Sequence, residues 1–144
     1  MSNSLVTKIH FKEQSMTSIR EIISTSGAPA AVGPYSQAVK VGNMVYSAGQ
    51  IPLVPGTGKL VEGDIAAQTH QVMSNLRAVL AAAGTGLENV VKTTIFVTNL
   101  ADFATINQAY GSYFSGNPPA RSTVQVAGLP LGANVEIEVV AIVA

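Results

Sequence analysis

The sequence predicts an α+β domain, a mixed β-sheet with two helices packed on one face. Three observations lead there. One long segment repeats its apolar residues every three or four positions, several shorter ones alternate or are rich in β-branched residues, and their order is strands, helix, strand, helix, strands. A chain of 144 residues fits one domain, and at that length folding buries roughly two thirds of the surface that the unfolded chain exposes. Regular patterning begins at Met16, so residues 1–15 are expected to be an N-terminal extension and 16–144 the folded domain.

The elements follow in order. "REIIST", residues 20–25, reads as a short strand, and "SGAPAAVGPY", residues 26–35, as a loop punctuated by glycine and proline. "SQAVKV" and "MVYSAGQI" read as two strands around Gly42-Asn43, a pair that tolerates the positive φ of a hairpin turn. A connection, "PLVPGTGK", leads to the helix. From Asp64 to Ala83 the apolar residues Ile65, Val72, Met73, Leu76, Val79, Leu80 and Ala83 fall on one helical face, with Asp64 as N-cap and Gly84 as the stop. "VVKTTIFVTNL", residues 90–100, is a buried strand by its β-branched content. Phe103, Ile106, Tyr110, Tyr113 and Phe114 mark a second helix, capped near Asn99 or Asp102. "RSTVQV" and "VEIEVVAIV" close the chain as strands.

Composition narrows the function. The chain is 47% hydrophobic and 11% charged, well below the roughly 25% charge of ordinary soluble domains, so part of its surface is expected to be an interface. Net charge is zero and no basic cluster occurs, which argues against nucleic acid as a specific partner. There is no cysteine, and His10 and His70 lack ligand spacing, so no metal cofactor is expected. No apolar run reaches the roughly 20 residues that span a bilayer. A cytoplasmic protein is expected, with an organelle as the alternative because the first fifteen residues are hydroxyl-rich and slightly basic.

The C-terminal third holds the chemistry. Arg121 is the last basic residue of the chain, and beyond Asp102 its only charged companions are Glu136 and Glu138. On an extended strand Arg121, Thr123 and Gln125 share one face, and Glu136 and Glu138 share a face with Val140 and Ile142. Two readings of Arg121 stay open. It pairs with one of these glutamates or with a neighbouring subunit, or it grips a substrate carboxylate through two parallel hydrogen bonds. A glutamate in partly apolar surroundings is suited to hold a water and shuttle a proton, and Glu138, deeper in the strand, is the candidate. Asn107 on the second helix and Tyr35 in the Gly-Pro loop are further candidates for a pocket, each with an ordinary structural role as the alternative. His70 reads as surface, and Ser36 and Ser47 have no histidine nearby in sequence to activate them.

The stretches "APAAVGPYSQAVKVGNMVYSAGQIP", "VVKTTIFVTNLADFATINQAY", "PPARSTVQVAGLP" and "VEIEVVAIVA" resemble the RidA family, also called YjgF or L-PSP endoribonucleases, from about Ser18 to the end. The resemblance implies a chorismate-mutase-like α+β fold, a homotrimer with clefts between subunits, and cofactor-free hydrolysis of 2-iminobutanoate and 2-iminopropanoate to 2-oxo acids and ammonia. It implies that Arg121 binds the substrate carboxylate, Glu138 orients water, Asn107 and Tyr35 line the pocket, and Gly49 and Thr123 contribute backbone groups. Two departures touch specificity: Ala48 stands where serine is common, and Thr123 where cysteine is frequent. The competing readings are an endoribonuclease that inhibits translation, which the family name brings, and a binding or chaperone-like trimer, which the charge-poor surface would permit.

Overall fold

A computed structural model describes residues 19–144. The N-terminal extension and the boundary at Met16 lie outside the described residues. The strands are β1 (Glu21–Ile23), β2 (Ala38–Val41), β3 (Met44–Ser47), β4 (Leu53–Val54), β5 (Lys59–Leu60), β6 (Val90–Val97), β7 (Ala120–Gln125) and β8 (Val135–Ile142). The helices are α1 (Ile65–Ala82) and α2 (Phe103–Gly111). Six strands form one mixed sheet in the order β1-β2-β3-β8-β6-β7, and β4 pairs with β5 as a separate hairpin. Only β6 and β7 run parallel, because α2 forms the crossover between them and a parallel pair needs such a connection. The α+β class, the mixed sheet and both helices follow the sequence pattern.

Alternation decides which face is covered. Val135, Ile137, Val139 and Ala141 of β8 are buried, as are Thr93, Ile95 and Val97 of β6, and they meet Val72, Met73, Leu76, Val79 and Leu80 of α1 in one core. Asp64 caps α1 by accepting from the Ala67 N–H at 3.0 Å. Such a cap contributes about 1 kcal/mol. The other face of the sheet carries Ile22, Tyr46, Val124 and Ile142, all exposed, and no helix of the described residues covers it.

Three local differences separate the structure from the sequence pattern. The second helix ends at Gly111, so Tyr113 and Phe114 lie beyond it and pack back on the core from the following turn. The connection before α1 holds the small β4–β5 hairpin, which Asn75 anchors by donating to the Leu53 carbonyl at 2.9 Å. The strand expected over residues 44–51 leaves regular pairing after Ser47, and Gln50 rejoins the sheet in a single bridge to Ile137. That detour creates one of two clusters of candidate residues.

Candidate functional site

The residues singled out from sequence fall into two groups on opposite faces of the sheet. On the helix-covered face, Arg121 pairs in register with Thr93, and Thr123 with Ile95. Thr93 and Ile95 are core residues, so Arg121 and Thr123 point the same way, beneath α2. Phe103, Asn107 and Tyr110 lie at helical spacing on one side of α2. The Arg121 guanidinium carbon sits 5.5 Å from the Phe103 ring centre and 5.2 Å from that of Tyr110, within cation–π range. The Tyr110 hydroxyl shares a 2.9 Å hydrogen bond with Thr93. Burial raises the Tyr110 pKa, and the Thr93 bond and the Arg121 charge oppose the rise. Asn107 Oδ1 and Thr123 Oγ1 are buried without a hydrogen-bond partner. Orphaned polar atoms carry a desolvation cost of about 1–3 kcal/mol, which a water or a bound polar group at this shelf would relieve.

On the margin of the open face, Glu136 lines a cleft of about 530 Å³ with Tyr35, Ala48, Gly49, Pro130 and Leu131. The Ala48–Ile51 detour brings Gly49 so close to Glu136 that a Cβ there would run into the carboxylate. The backbone of Gly49 is not among those with positive φ, so what the glycine provides is room for the Glu136 side chain. Burial raises the Glu136 pKa from its ordinary value, and the neighbouring Glu138 charge adds to the rise. The loop carrying Tyr35 is tied down by Gln37, which donates to the Thr25 carbonyl at 3.0 Å and the Pro29 carbonyl at 2.8 Å and accepts from the Thr25 N–H at 2.7 Å. The Tyr35 hydroxyl in turn accepts from the Val32 N–H at 3.2 Å. Leu131, on the far lip, has φ 58 and ψ 20, a left-handed conformation that costs a non-glycine residue about 1–2 kcal/mol.

Two expectations change. Depth along the strand favours Glu138, but burial depends on what lies beside β8. Glu138 is exposed and borders a separate recess with Tyr46, Lys92 and Thr94, whereas Glu136 is the desolvated glutamate of the Gly49–Tyr35 cleft. An ion pair between Arg121 and either glutamate is excluded within one chain, because β6–β8 register puts both acids on the face opposite Thr93 and Arg121. Phe103, Tyr110 and Leu131 are the contributors that local sequence did not single out for the site. The helical spacing of Phe103 and Tyr110 around Asn107 is the one signal that pointed to them. Among the described residues no cluster of three or more potential metal ligands occurs.

These features define a class, a small α+β domain with one mixed sheet, one covered face and polar sites at the sheet margins. A profile of the family described as Endoribonuclease L-PSP matches residues 25–143. The chain is 49% identical over 124 residues to a mouse protein named 2-iminobutanoate/2-iminopropanoate deaminase, which covers 86% of this chain and 92% of the relative. The crystal structure of RidA from an Antarctic Psychrobacter superposes with a TM-score of 0.83 at 49% identity, covering 86% of this chain and all of that one. E. coli TdcF, solved with bound serine, gives 0.82 at 42% identity over 86% of this chain and 99% of its own. The chain belongs to the L-PSP endoribonuclease family, the family of RidA and YjgF.

Proposed function

We propose that this protein is a 2-iminobutanoate/2-iminopropanoate deaminase that hydrolyses short 2-imino acids to 2-oxo acids and ammonia. The observation that carries the reading is Glu136, a partly desolvated carboxylate seated on Gly49 inside a cleft. An iminium carbon is already electrophilic, so a positioned substrate, a water and one proton acceptor suffice. Glu136 takes a proton as water adds to C2, forming a carbinolamine. The same proton then goes to the nitrogen, and as the C–N bond breaks Glu136 takes the hydroxyl proton, so that the 2-oxo acid forms and ammonia leaves. Arg121 holds the substrate carboxylate in a bidentate grip, with Asn107 and the Thr123 strand beside it.

This assignment moves the water-orienting role from Glu138 to Glu136. The test is hydrolysis of both imines generated in situ, with semicarbazide trapping what remains. Glu136→Gln loses about 100-fold or more in kcat, while Glu138→Gln keeps activity within about twofold. The opposite pattern would return the role to Glu138.

Arg121 and Glu136 cannot close on one small molecule within a single chain. They lie on opposite faces, with β6 between their strands and two spacings of about 4.8 Å separating β7 from β8. The proposal therefore includes a homotrimer in which the Arg121 shelf of one copy meets the Glu136 cleft of the next, and the exposed apolar face of the sheet supplies the contact. Arg121→Ala and Glu136→Gln, each inactive alone, are refolded together in equal amounts. Random assembly restores about a quarter of the wild-type sites across a head-to-tail interface; continued inactivity of the mixture would refute a shared site. A cytoplasmic location remains part of the proposal. No described helix is long and apolar enough to cross a membrane.

A further inference from the structure

We propose that Val32, Tyr35 and Leu131 form an apolar rim that selects the substrate's side chain, so that this protein favours 2-imino acids with branched or longer alkyl groups over 2-iminopropanoate. The inference rests on the imine-hydrolase reading and adds to it which imines are taken. Three observations converge on the same lip of the Glu136 cleft.

The first is exposure. Val32 is 75% exposed, Leu131 65% and Tyr35 50%. Scattered exposed apolar residues need no explanation, but these come from two separate loops and border one cleft with the only carboxylate in its lining. The second is backbone strain at Leu131. A leucine held at φ 58 is sterically disfavoured, and glycine or asparagine would occupy that backbone without the penalty. A strained residue that also exposes its side chain gains nothing from burial in the core, and such outliers gather at ligand clamps. The third is the character and size of the space. Ala48, Ile51 and Leu53 add apolar surface to the same lining, that of a cleft of about 530 Å³. Glu136 is the one carboxylate of that lining, so a substrate with its C2 there meets apolar lining, Leu131 included, with its side chain.

The test compares imines formed in situ from alanine and leucine, which bear methyl and isobutyl side chains. Wild type is set against Leu131→Gly, which suits the left-handed backbone and removes the side chain, and Leu131→Asn, which suits it and replaces the apolar group with a polar one. In both variants the ratio of kcat/KM for the leucine-derived imine over the alanine-derived one falls about tenfold, the discrimination expected of one or two lost apolar contacts. An unchanged ratio in both variants overturns the proposal, and would mean that the rim meets another copy of the chain. Calorimetric binding of pyruvate and 4-methyl-2-oxopentanoate gives a second readout that needs no turnover. If wild type hydrolyses neither imine, the deaminase reading fails and binding alone decides the rim: a preference for the larger acid that Leu131→Gly abolishes supports it, and equal or absent binding of the two overturns it.

Discussion

The Glu136 cleft and the Arg121 shelf sit on the same sheet and are built by different means. The cleft is made by backbone. A glycine admits the carboxylate, a detour between β3 and β4 wraps it, and a loop tied down by Gln37 carries the tyrosine. The shelf is made by side chains: a guanidinium over two aromatic rings of α2, with an amide and a hydroxyl left buried and unsatisfied. The acid's pKa is set by how tightly the chain closes around it, whereas the arginine stays charged wherever it is placed and needs only orientation.

Substitutions separate the two constructions. The largest effect falls on the shelf, where Arg121→Ala removes the carboxylate grip and lowers kcat/KM by about 100- to 1,000-fold, since charge-assisted contacts of this kind are worth about 3–4 kcal/mol when truncated. Steady-state turnover of both imines reads this, and the effect is expected mostly in KM if the arginine binds ground state and transition state alike. A fall of less than threefold would remove Arg121 from the site. On the cleft side, Gly49→Ala pushes the Glu136 carboxylate away from its seat while leaving the acid itself unsubstituted. Displacement of that order costs about 10- to 100-fold, and it should appear in kcat with an unaltered circular-dichroism spectrum. Full activity in this variant would show that the contact between Gly49 and Glu136 has no role in positioning the acid.

The smallest effect is on stability. Glu136 holds its proton to higher pH in the folded chain than in the unfolded one, because burial and the Glu138 charge both disfavour its anion. Between the two pKa values the native state binds more protons, so this group's contribution to stability falls as pH rises through that window. Glu136→Gln should remove the fall. Melting temperatures of wild type and variant, measured across the acid range, should therefore diverge in slope, and parallel curves would contradict the assigned direction.

Most of the fold was legible in sequence because its signals are local. The three- and four-residue apolar spacing from Ile65 to Ala83 and the alternation of "VEIEVVAIV" need only neighbours to be read. Of the candidate site the sequence marked single residues, and their arrangement was not legible. Alternation puts Glu136 and Glu138 on one face and ranks neither, and what distinguishes them is Gly49, nearly ninety positions earlier, brought alongside by the bridge from Gln50 to Ile137. The division of Arg121 from both acids is equally non-local, since it depends on the parallel register of β7 with β6. The role of Leu131 is invisible in "GLPLGAN" because nothing in that string requires the leucine itself to take positive φ when a glycine stands next to it.

Gln37 has a consequence for the energetics of recognition. Its buried amide fastens the turn at residues 25–29 to the start of β2, so the root of the Pro- and Gly-rich segment leading to Tyr35 is fixed when the domain folds and not when a ligand arrives. The conformational entropy of ordering that segment is then charged to folding, where a large core offsets it, and little remains to be lost on association. A cleft ordered in advance can capture a small, short-lived molecule on encounter, without waiting for a loop to close over it.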